Sequence, residues 1–182
     1  MPESTAKEED ATSTMVHISR HPVLSHKITI LRSSATSPGT FRAVLKEITY
    51  HLGYEATVHD LSTIPVDISV PGCAVQQHPD WQGEKLKQSV ALIPILRSGL
   101  CMVDSMLDLV PTAAVHHIGM YKAQHDVMPV EYYSRLPRKC TADIAYVLDT
   151  VIATATTVAS VITKLKKVRR CLLRACVLHI VL

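Results

Sequence analysis

The sequence predicts an α/β fold in which a mainly parallel sheet is flanked by helices. Two continuous apolar runs, at residues 89–96 and 145–148, have the composition of strands that are buried on both faces. A segment with helical periodicity follows each run, at residues 99–110 and 157–168. Strands that alternate with helices in this way are typical of βαβ units, and 182 residues suffice for one such domain.

Two helices are predicted before this alternation begins. The first follows His21, with Pro22 near its first turn. The second begins at Pro38, directly after the capping residue Ser37, and continues to about Thr57. Both carry apolar side chains at helical spacing, which predicts that one face of each packs against the rest of the domain.

The remaining segments are assigned by alternation and by turn residues. Residues 64–70 alternate between apolar and polar as a half-buried strand does, whereas residues 71–87 contain Gly and Pro and are expected to form a loop. Residues 113–121 and 171–182 are expected to be strands. Residues 129–136 are a polar extended segment, expected to be one arm of a hairpin.

Composition and charge exclude several classes of protein. No run of about 18 apolar residues lacks a charge, which excludes a transmembrane helix. A net charge of +3, with one Trp and one Phe, argues against a nucleic-acid partner. The five cysteines include no CxxC pair, which argues against a disulfide framework and favours a cytoplasmic location. The ten histidines lack the paired spacing of metal ligands, so no metal site is predicted.

The N-terminal residues differ in composition from the rest. Residues 1–14 are polar and acidic and lack the apolar core of a secretory signal. We therefore expect residues 1–15 to be a disordered tail and residues 16–182 to form the domain.

The loop after the second apolar run is a candidate anion site. A carboxylate, Asp149, ends the strand, and small or hydroxyl-bearing residues separate it from the next helix. Free N–H groups at a helix start favour a phosphate, to which Thr hydroxyls can add donors. Asp149 would then contact the hydroxyls of an attached sugar. An ordinary loop with a Thr cap is the alternative. The residues are Thr150, Val151, Ile152, Ala153, Thr154, Ala155, Thr156 and Thr157.

The loop after the first apolar run contains a cation. Arg97 precedes Ser98 and Gly99, and a guanidinium at the end of a parallel strand can hold a second phosphate group. A surface arginine at a helix start is the alternative. Cys101 lies in an apolar helix and is expected to be a core residue. The basic residues 164–170 are expected to form a solvated face.

Ordered motifs along the chain resemble the uracil phosphoribosyltransferase family. The family patterns VPILRAGLGMVDG and VLDPMLATGGS correspond to IPILRSGLCMVDS and VLDTVIATATT in this chain. The matching segments are residues 21–32 (HPVLSHKITILR), 54–57 (YEAT), 93–105 (IPILRSGLCMVDS), 117–122 (HIGMYK), 129–137 (PVEYYSRLP) and 147–157 (VLDTVIATATT).

The resemblance implies a type I phosphoribosyltransferase fold with a hairpin lid over its site. It implies transfer of ribose 5-phosphate from phosphoribosyl pyrophosphate to uracil, giving UMP and pyrophosphate, with Mg²⁺ bound through the substrate. Asp149 would contact the ribose hydroxyls, residues 150–157 the 5′-phosphate, and Arg97 and Lys122 the pyrophosphate. A homo-oligomer and a GTP effector are further expectations.

The chain also departs from the family pattern. Thr150 stands where the family has Pro, Ala155 and Thr156 where it has Gly-Gly, and Lys122 where it has Arg. The family continues past residue 182 with a uracil-binding segment, so we expect a C-terminally truncated domain. The alternatives are therefore a non-catalytic regulator that keeps the fold, a truncated inactive copy, and a structural partner in a hetero-oligomer.

Overall fold

The computed structural model describes residues 17–68, 82–122, 129–137, 141–168 and 176–178. The expected N-terminal tail lies outside these residues. In chain order the elements are α1 (Pro22–Arg32), α2 (Pro38–Thr57), β1 (Thr63–Asp67), β2 (Gln82–Leu86), β3 (Val90–Leu96), α3 (Leu100–Leu109), β4 (Ala114–Val115), β5 (Ile118–Tyr121), β6 (Val130–Ser134), β7 (Ile144–Leu148), α4 (Thr156–Val168) and β8 (Cys176–Leu178).

Both N-terminal helices begin at the residues that the sequence predicts. The Ser37 side chain accepts a hydrogen bond from the backbone N–H of Thr40, and Pro38 occupies the first turn of α2. The His21 side chain caps α1 in the same way by accepting from the N–H of Val23. The two helices pack through a shared apolar cluster: Leu24, Leu31, Val44, Leu45 and Ile48.

The prediction of a loop at residues 71–87 is wrong for the C-terminal part of that segment. Residues 82–86 form β2, which pairs antiparallel with β1 in a separate two-stranded sheet. Four of the five β2 residues are exposed, so the strand carries no apolar alternation that sequence inspection could detect. Backbone pairing with β1 defines this strand. Residues 69–81 lie outside the described part of the chain.

The main sheet has the strand order β6-β5-β3-β7-β8, with β4 pairing beside β3. All its pairs are parallel except β5 with β6, which form the expected antiparallel hairpin. The predicted α/β fold with a mainly parallel sheet is therefore confirmed. Among the described residues, no helix is both long and apolar enough to cross a membrane.

The two central strands are apolar throughout because both faces of the sheet are covered. Successive side chains of a strand point to opposite faces. Ala91, Ile93, Ala145 and Val147 pack with residues of α4, whereas the alternate residues of β3 and β7 pack with α3. Nearly every side chain of β3 and β7 is buried. This arrangement confirms the interpretation of the apolar runs.

The single strand expected at residues 113–121 is interrupted. It forms β4 and β5, both parallel to β3 and in one continuous register. The gap at residues 116–117 lies opposite Ile93 and Pro94 of β3 in that register. Proline has no N–H to donate to a neighbouring strand, so the ladder breaks there and resumes two residues later.

Candidate active site

The candidate site lies at the carboxyl ends of β3 and β7. These neighbouring parallel strands are in register, with Pro94 beside Leu148. After β3 the chain continues into α3 on one face of the sheet, and after β7 it continues into α4 on the other. The two connecting loops therefore face each other at a topological switch point, the position at which open α/β sheets bind ligands.

Asp149 is a buried carboxylate at this edge. Its residue is 7% exposed, and the Ser98 hydroxyl donates a 2.7 Å hydrogen bond to its Oδ1. Residue 98 belongs to the loop after β3, so this bond joins the two loops that the sequence presented separately. A buried carboxylate requires such donors, because leaving it unpaired carries a desolvation cost.

Gly99 permits this close approach of the loops. A Cβ at Gly99 would lie 2.2 Å from the carbonyl oxygen of Leu148 and 2.8 Å from the backbone nitrogen of Ile95. Both contacts are with backbone atoms that cannot rotate away. Only glycine therefore lets the start of α3 pack against the end of β7 and bring residue 98 to Asp149.

The loop between Asp149 and α4 has the form of an anion cradle. Ala155 has φ 58, a left-handed conformation, and α4 begins at the next residue. The hydroxyls of Thr154 and Thr156 lie 3.0 Å apart, and Thr154 is exposed. The first N–H groups of a helix have no intrahelical acceptors, so they are available to an anion beside these hydroxyls.

The two predicted cations lie at the same edge of the sheet. Arg97 directly follows β3, and the peptide bond between Leu96 and Arg97 is cis. Lys122 directly follows β5, whose residue Gly119 is paired with Leu96. Both side chains are exposed. Arg97 therefore lies beyond the end of β3, the neighbour of β7, and Lys122 lies beyond the end of β5, on the other side of β3.

The segment expected to form a hairpin lid is β6, which pairs with β5 across an irregularity at Gly119 and Met120. The Tyr132 ring lies so close to Gly119 that a Cβ there would be 2.6 Å from its Cζ. Glu131 of β6 forms an ion pair with Lys164 of α4. The hairpin is thereby connected to the helix that follows the anion cradle.

The Glu131 ion pair corrects the interpretation of the basic segment at Lys164, whereas Lys166 and Lys167 are exposed as expected. Lys164 was expected to lie on a solvated face, but it is only 40% exposed and contacts the hairpin. Residues 169–170 of that segment are outside the described part of the chain. Charge clustering in sequence did not reveal this pair, because its partner lies 33 residues away.

Cys101 was expected in the core, and this expectation is wrong. The residue is exposed, and its thiol donates to the carbonyl oxygen of Ser98 at 2.7 Å. Desolvation raises the pKa of the Cys101 thiol, and the nearby charge of Asp149 raises it further. Helical spacing offered a signal, because Cys101, Asp104 and Asp108 share one face of α3. Met102 and Met106 occupy the buried face.

Sequence reasoning did not identify Ser98 as a functional residue. The available signal was its position between Arg97 and the helix start, but only the strand pairing shows that Asp149 is its partner. Within the described residues, no group of three or more His, Cys, Asp or Glu side chains could hold a metal ion.

Known proteins match both the sequence and the fold. A family model described as uracil phosphoribosyltransferase matches residues 18–180. The uracil phosphoribosyltransferase of Roseiflexus sp. is 40% identical over 84% of this chain and 70% of its own length. That of Agathobacter rectalis is 40% identical over 81% of this chain and 68% of its own.

Solved structures agree with the fold. The AQ2163 protein from Aquifex aeolicus is 27% identical, with a TM-score of 0.71 over 90% of this chain and 74% of its own length. A hypoxanthine-guanine phosphoribosyltransferase from Bacillus anthracis has a TM-score of 0.50 at 9% identity over 74% of this chain, and this likeness concerns the fold alone. Because the family model and the relatives cover most of the described domain, the chain belongs to the uracil phosphoribosyltransferase family of pentosyltransferases.

Proposed function

We propose that the chain transfers ribose 5-phosphate from phosphoribosyl pyrophosphate to N1 of uracil, with Asp149 at the centre of the site. The observation that carries the proposal is the buried Asp149 carboxylate at the end of β7, directly before the loop and helix start that can bind a phosphate. Family membership supplies the reaction. The chain's own geometry supports the following roles.

Asp149 accepts hydrogen bonds from the ribose hydroxyls. A carboxylate accepts through both oxygens, and charge-assisted bonds of this kind are shorter and stronger than neutral ones. Burial of the residue lowers the local dielectric, which strengthens each bond to the sugar. The ribose is then held at a fixed position relative to the end of β7.

The cradle formed by residues 150–157 holds the 5′-phosphate. The left-handed Ala155 turns the chain into α4 and directs the first N–H groups of the helix toward the loop. Thr154, Thr156 and Thr157 add hydroxyl donors. The positive end of the α4 dipole further favours the phosphate charge.

Arg97 and Lys122 contact the pyrophosphate. When the leaving group departs with its electron pair, negative charge grows on pyrophosphate and positive charge grows on the ribose ring. Fixed cations beside the leaving group stabilise this charge separation, and removing one such contact costs on the order of 10²-fold in rate. The β5–β6 hairpin covers the site and keeps water from the reactive sugar.

Magnesium fits this site as an ion bound largely by the substrate. The hydroxyl and phosphate oxygens of the substrate are the hard ligands that Mg²⁺ prefers. The described residues form no metal cluster of their own. When bound, Mg²⁺ would neutralise charge on the leaving pyrophosphate.

The test is UMP formation from labelled uracil, phosphoribosyl pyrophosphate and Mg²⁺ by the purified chain. We expect Asp149→Asn to abolish binding of phosphoribosyl pyrophosphate at the concentrations that saturate the wild-type chain. Asp67→Asn, which removes an exposed carboxylate of the two-stranded sheet, serves as the matched control and should retain activity. Binding that survives in Asp149→Asn would refute the site, and a folded chain without UMP formation would favour a non-catalytic regulator.

Three further properties are part of the same proposal. They are a homo-oligomeric state, a cytoplasmic location and regulation by GTP. Light scattering of the purified chain tests the first, localisation of a tagged chain the second, and the UMP assay with and without GTP the third. A monomer, a non-cytoplasmic signal or an unchanged rate would contradict them in turn.

A further inference from the structure

We propose that Ser98 is a positioning residue that holds the Asp149 carboxylate in the orientation required to bind the ribose hydroxyls. This inference rests on the proposed function. Its direct observation is the 2.7 Å hydrogen bond from the Ser98 hydroxyl to Oδ1 of Asp149, across the gap between the two site loops. One such bond leaves lone pairs on both carboxylate oxygens for the substrate.

The Ser98 hydroxyl has no competing role in the helix that follows it. A serine just before a helix commonly caps it by accepting from the N–H groups of the first turn. In α3 the N-cap is Gly99, and no side chain makes the capping hydrogen bond. The Ser98 hydroxyl is therefore directed to Asp149, which separates this residue from an ordinary helix cap.

The backbone around Ser98 restricts the position of its hydroxyl. Gly99 packs against the Leu148 carbonyl, and its own N–H donates to the Ile95 carbonyl at 2.9 Å. The carbonyl of Ser98 accepts from the Cys101 thiol at 2.7 Å. Held on both sides, the residue presents its hydroxyl to Asp149 with little freedom, as a positioning group requires.

The strength of the Ser98–Asp149 hydrogen bond depends on the charge and burial of its acceptor. A hydrogen bond to a charged group contributes more than one between neutral groups, and the contribution grows when the acceptor is buried. Asp149 is buried, so removing the donor should allow its carboxylate to rotate or to recruit water instead.

The test measures binding of ribose 5-phosphate and, separately, of magnesium pyrophosphate by calorimetry. Ser98→Ala should weaken ribose 5-phosphate binding about tenfold. Pyrophosphate binding should change by less than about twofold, because pyrophosphate has no hydroxyls for Asp149 to hold. Ser98→Thr keeps the hydroxyl, and residue 98 is exposed, so this variant should bind ribose 5-phosphate as the wild type does.

A double-mutant cycle shows whether Ser98 acts through Asp149. In an Asp149→Ala background, Ser98→Ala should have no further effect on ribose 5-phosphate binding, because its acceptor is absent. Additive effects would overturn the proposal, as would equal weakening of both ligands or no weakening by Ser98→Ala.

The binding cycle also separates this inference from the proposed function. A wild-type chain that binds ribose 5-phosphate but forms no UMP would refute the function, while the cycle would still decide the role of Ser98. A wild-type chain that forms UMP but shows no Ser98 effect in the cycle would retain the function and overturn the inference.

Discussion

At the residue scale, Ala155 adopts a conformation that its side chain disfavours. Its φ of 58 is in the left-handed region, where a Cβ crowds the following carbonyl. The family pattern has glycine in this part of the loop, and glycine adopts that conformation without the penalty. The chain therefore keeps the backbone turn of the cradle while carrying an unfavourable residue in it.

Ala155→Gly should consequently stabilise the protein. We expect the free energy of unfolding to rise by about 0.5 to 1 kcal/mol. This value is the Cβ penalty that the substitution removes, minus the cost of the greater flexibility of glycine in the unfolded chain. Ala153→Gly, in the same loop, is the control. It should lower the free energy of unfolding, because it makes the unfolded chain more flexible without relieving a left-handed residue. Urea denaturation measures both, and a loss in Ala155→Gly equal to that of the control would contradict the argument.

The environment of Cys101 predicts slow alkylation at neutral pH. Because desolvation and the Asp149 charge raise its pKa above the ordinary 9.0, the reactive thiolate is scarce at pH 7. Iodoacetamide labelling followed by peptide mass spectrometry measures the labelling rate as a function of pH. The rate for Cys101 should begin to increase at a higher pH than the rate for a free reference thiol. Labelling at pH 7 as fast as the reference thiol would contradict this prediction.

At the element scale, the contact between the start of α3 and the end of β7 assembles the site. Its key position is Gly99, where a Cβ would overlap the Leu148 carbonyl oxygen at 2.2 Å. Gly39 is a natural control, since a Cβ in the first turn of α2 would meet only Ser37 Oγ at 3.9 Å.

Gly99→Ala and Gly39→Ala should thus have opposite effects on stability. Gly99→Ala should cost about 1 to 3 kcal/mol and impair binding of phosphoribosyl pyrophosphate, because backbone atoms must move. Gly39→Ala should stabilise α2 by up to about 1 kcal/mol. Thermal denaturation and substrate binding test the pair, and equal effects of the two variants would refute the close-packing argument.

A second element-scale feature connects the starts of β3 and β7. The backbone N–H and the hydroxyl of Ser89 both donate to Oδ2 of Asp143 at 2.8 Å, and the Asp143 N–H donates to the Ser89 carbonyl at 2.9 Å. The hydrogen bond from the Ser89 backbone N–H, and after it the one from the Ser89 hydroxyl, lower the pKa of Asp143 below its ordinary 3.8. The two central strands are therefore joined at the edge opposite the site.

The lowered pKa of Asp143 predicts the pH range in which this link stabilises the protein. A depressed carboxyl pKa adds stability above the unfolded value and loses it as pH falls through the folded value. Asp143→Ala should lower the melting temperature at pH 7, and its difference from wild type should narrow below about pH 4. A difference that is the same at pH 3 and pH 7 would show that the charge of Asp143 is not involved.

At the scale of the whole molecule, the substrate site joins several parts of the domain. Asp149 and the cradle follow β7, Arg97 follows β3, and Lys122 follows β5. Three strands of one sheet and the start of α4 therefore contribute to a single proposed ligand site. A ligand bound there would resist separation of these elements and stabilise the folded state as a unit.

Phosphoribosyl pyrophosphate with Mg²⁺ should accordingly raise the melting temperature. At about 100 times the dissociation constant the stabilisation is about 2.7 kcal/mol, or roughly 5 to 10 °C for a domain of this size. Asp149→Asn should remove the shift, whereas Asp67→Asn should retain it. Scanning calorimetry provides the measurement, and a shift that persists in Asp149→Asn would place the ligand elsewhere.

The sequence by itself determined the elements whose signals are local. Ser37 and Pro38 predict the start of α2, and uninterrupted apolar composition predicts β3 and β7, because a strand covered on both faces has no polar side. Motifs distributed along the chain identified the family. These signals come from residues that are close in sequence, so they can be detected without knowing which distant residues pack against them.

Tertiary structure alone decided the features that depend on distant partners. The polar strand β2 exists because β1 pairs with it, and Pro94 interrupts the β4–β5 segment through the sheet register. The Ser98–Asp149 hydrogen bond joins residues 51 positions apart, and Lys164 pairs with Glu131 across 33. No local pattern encodes such pairs, because packing of the sheet and helices brings their partners together.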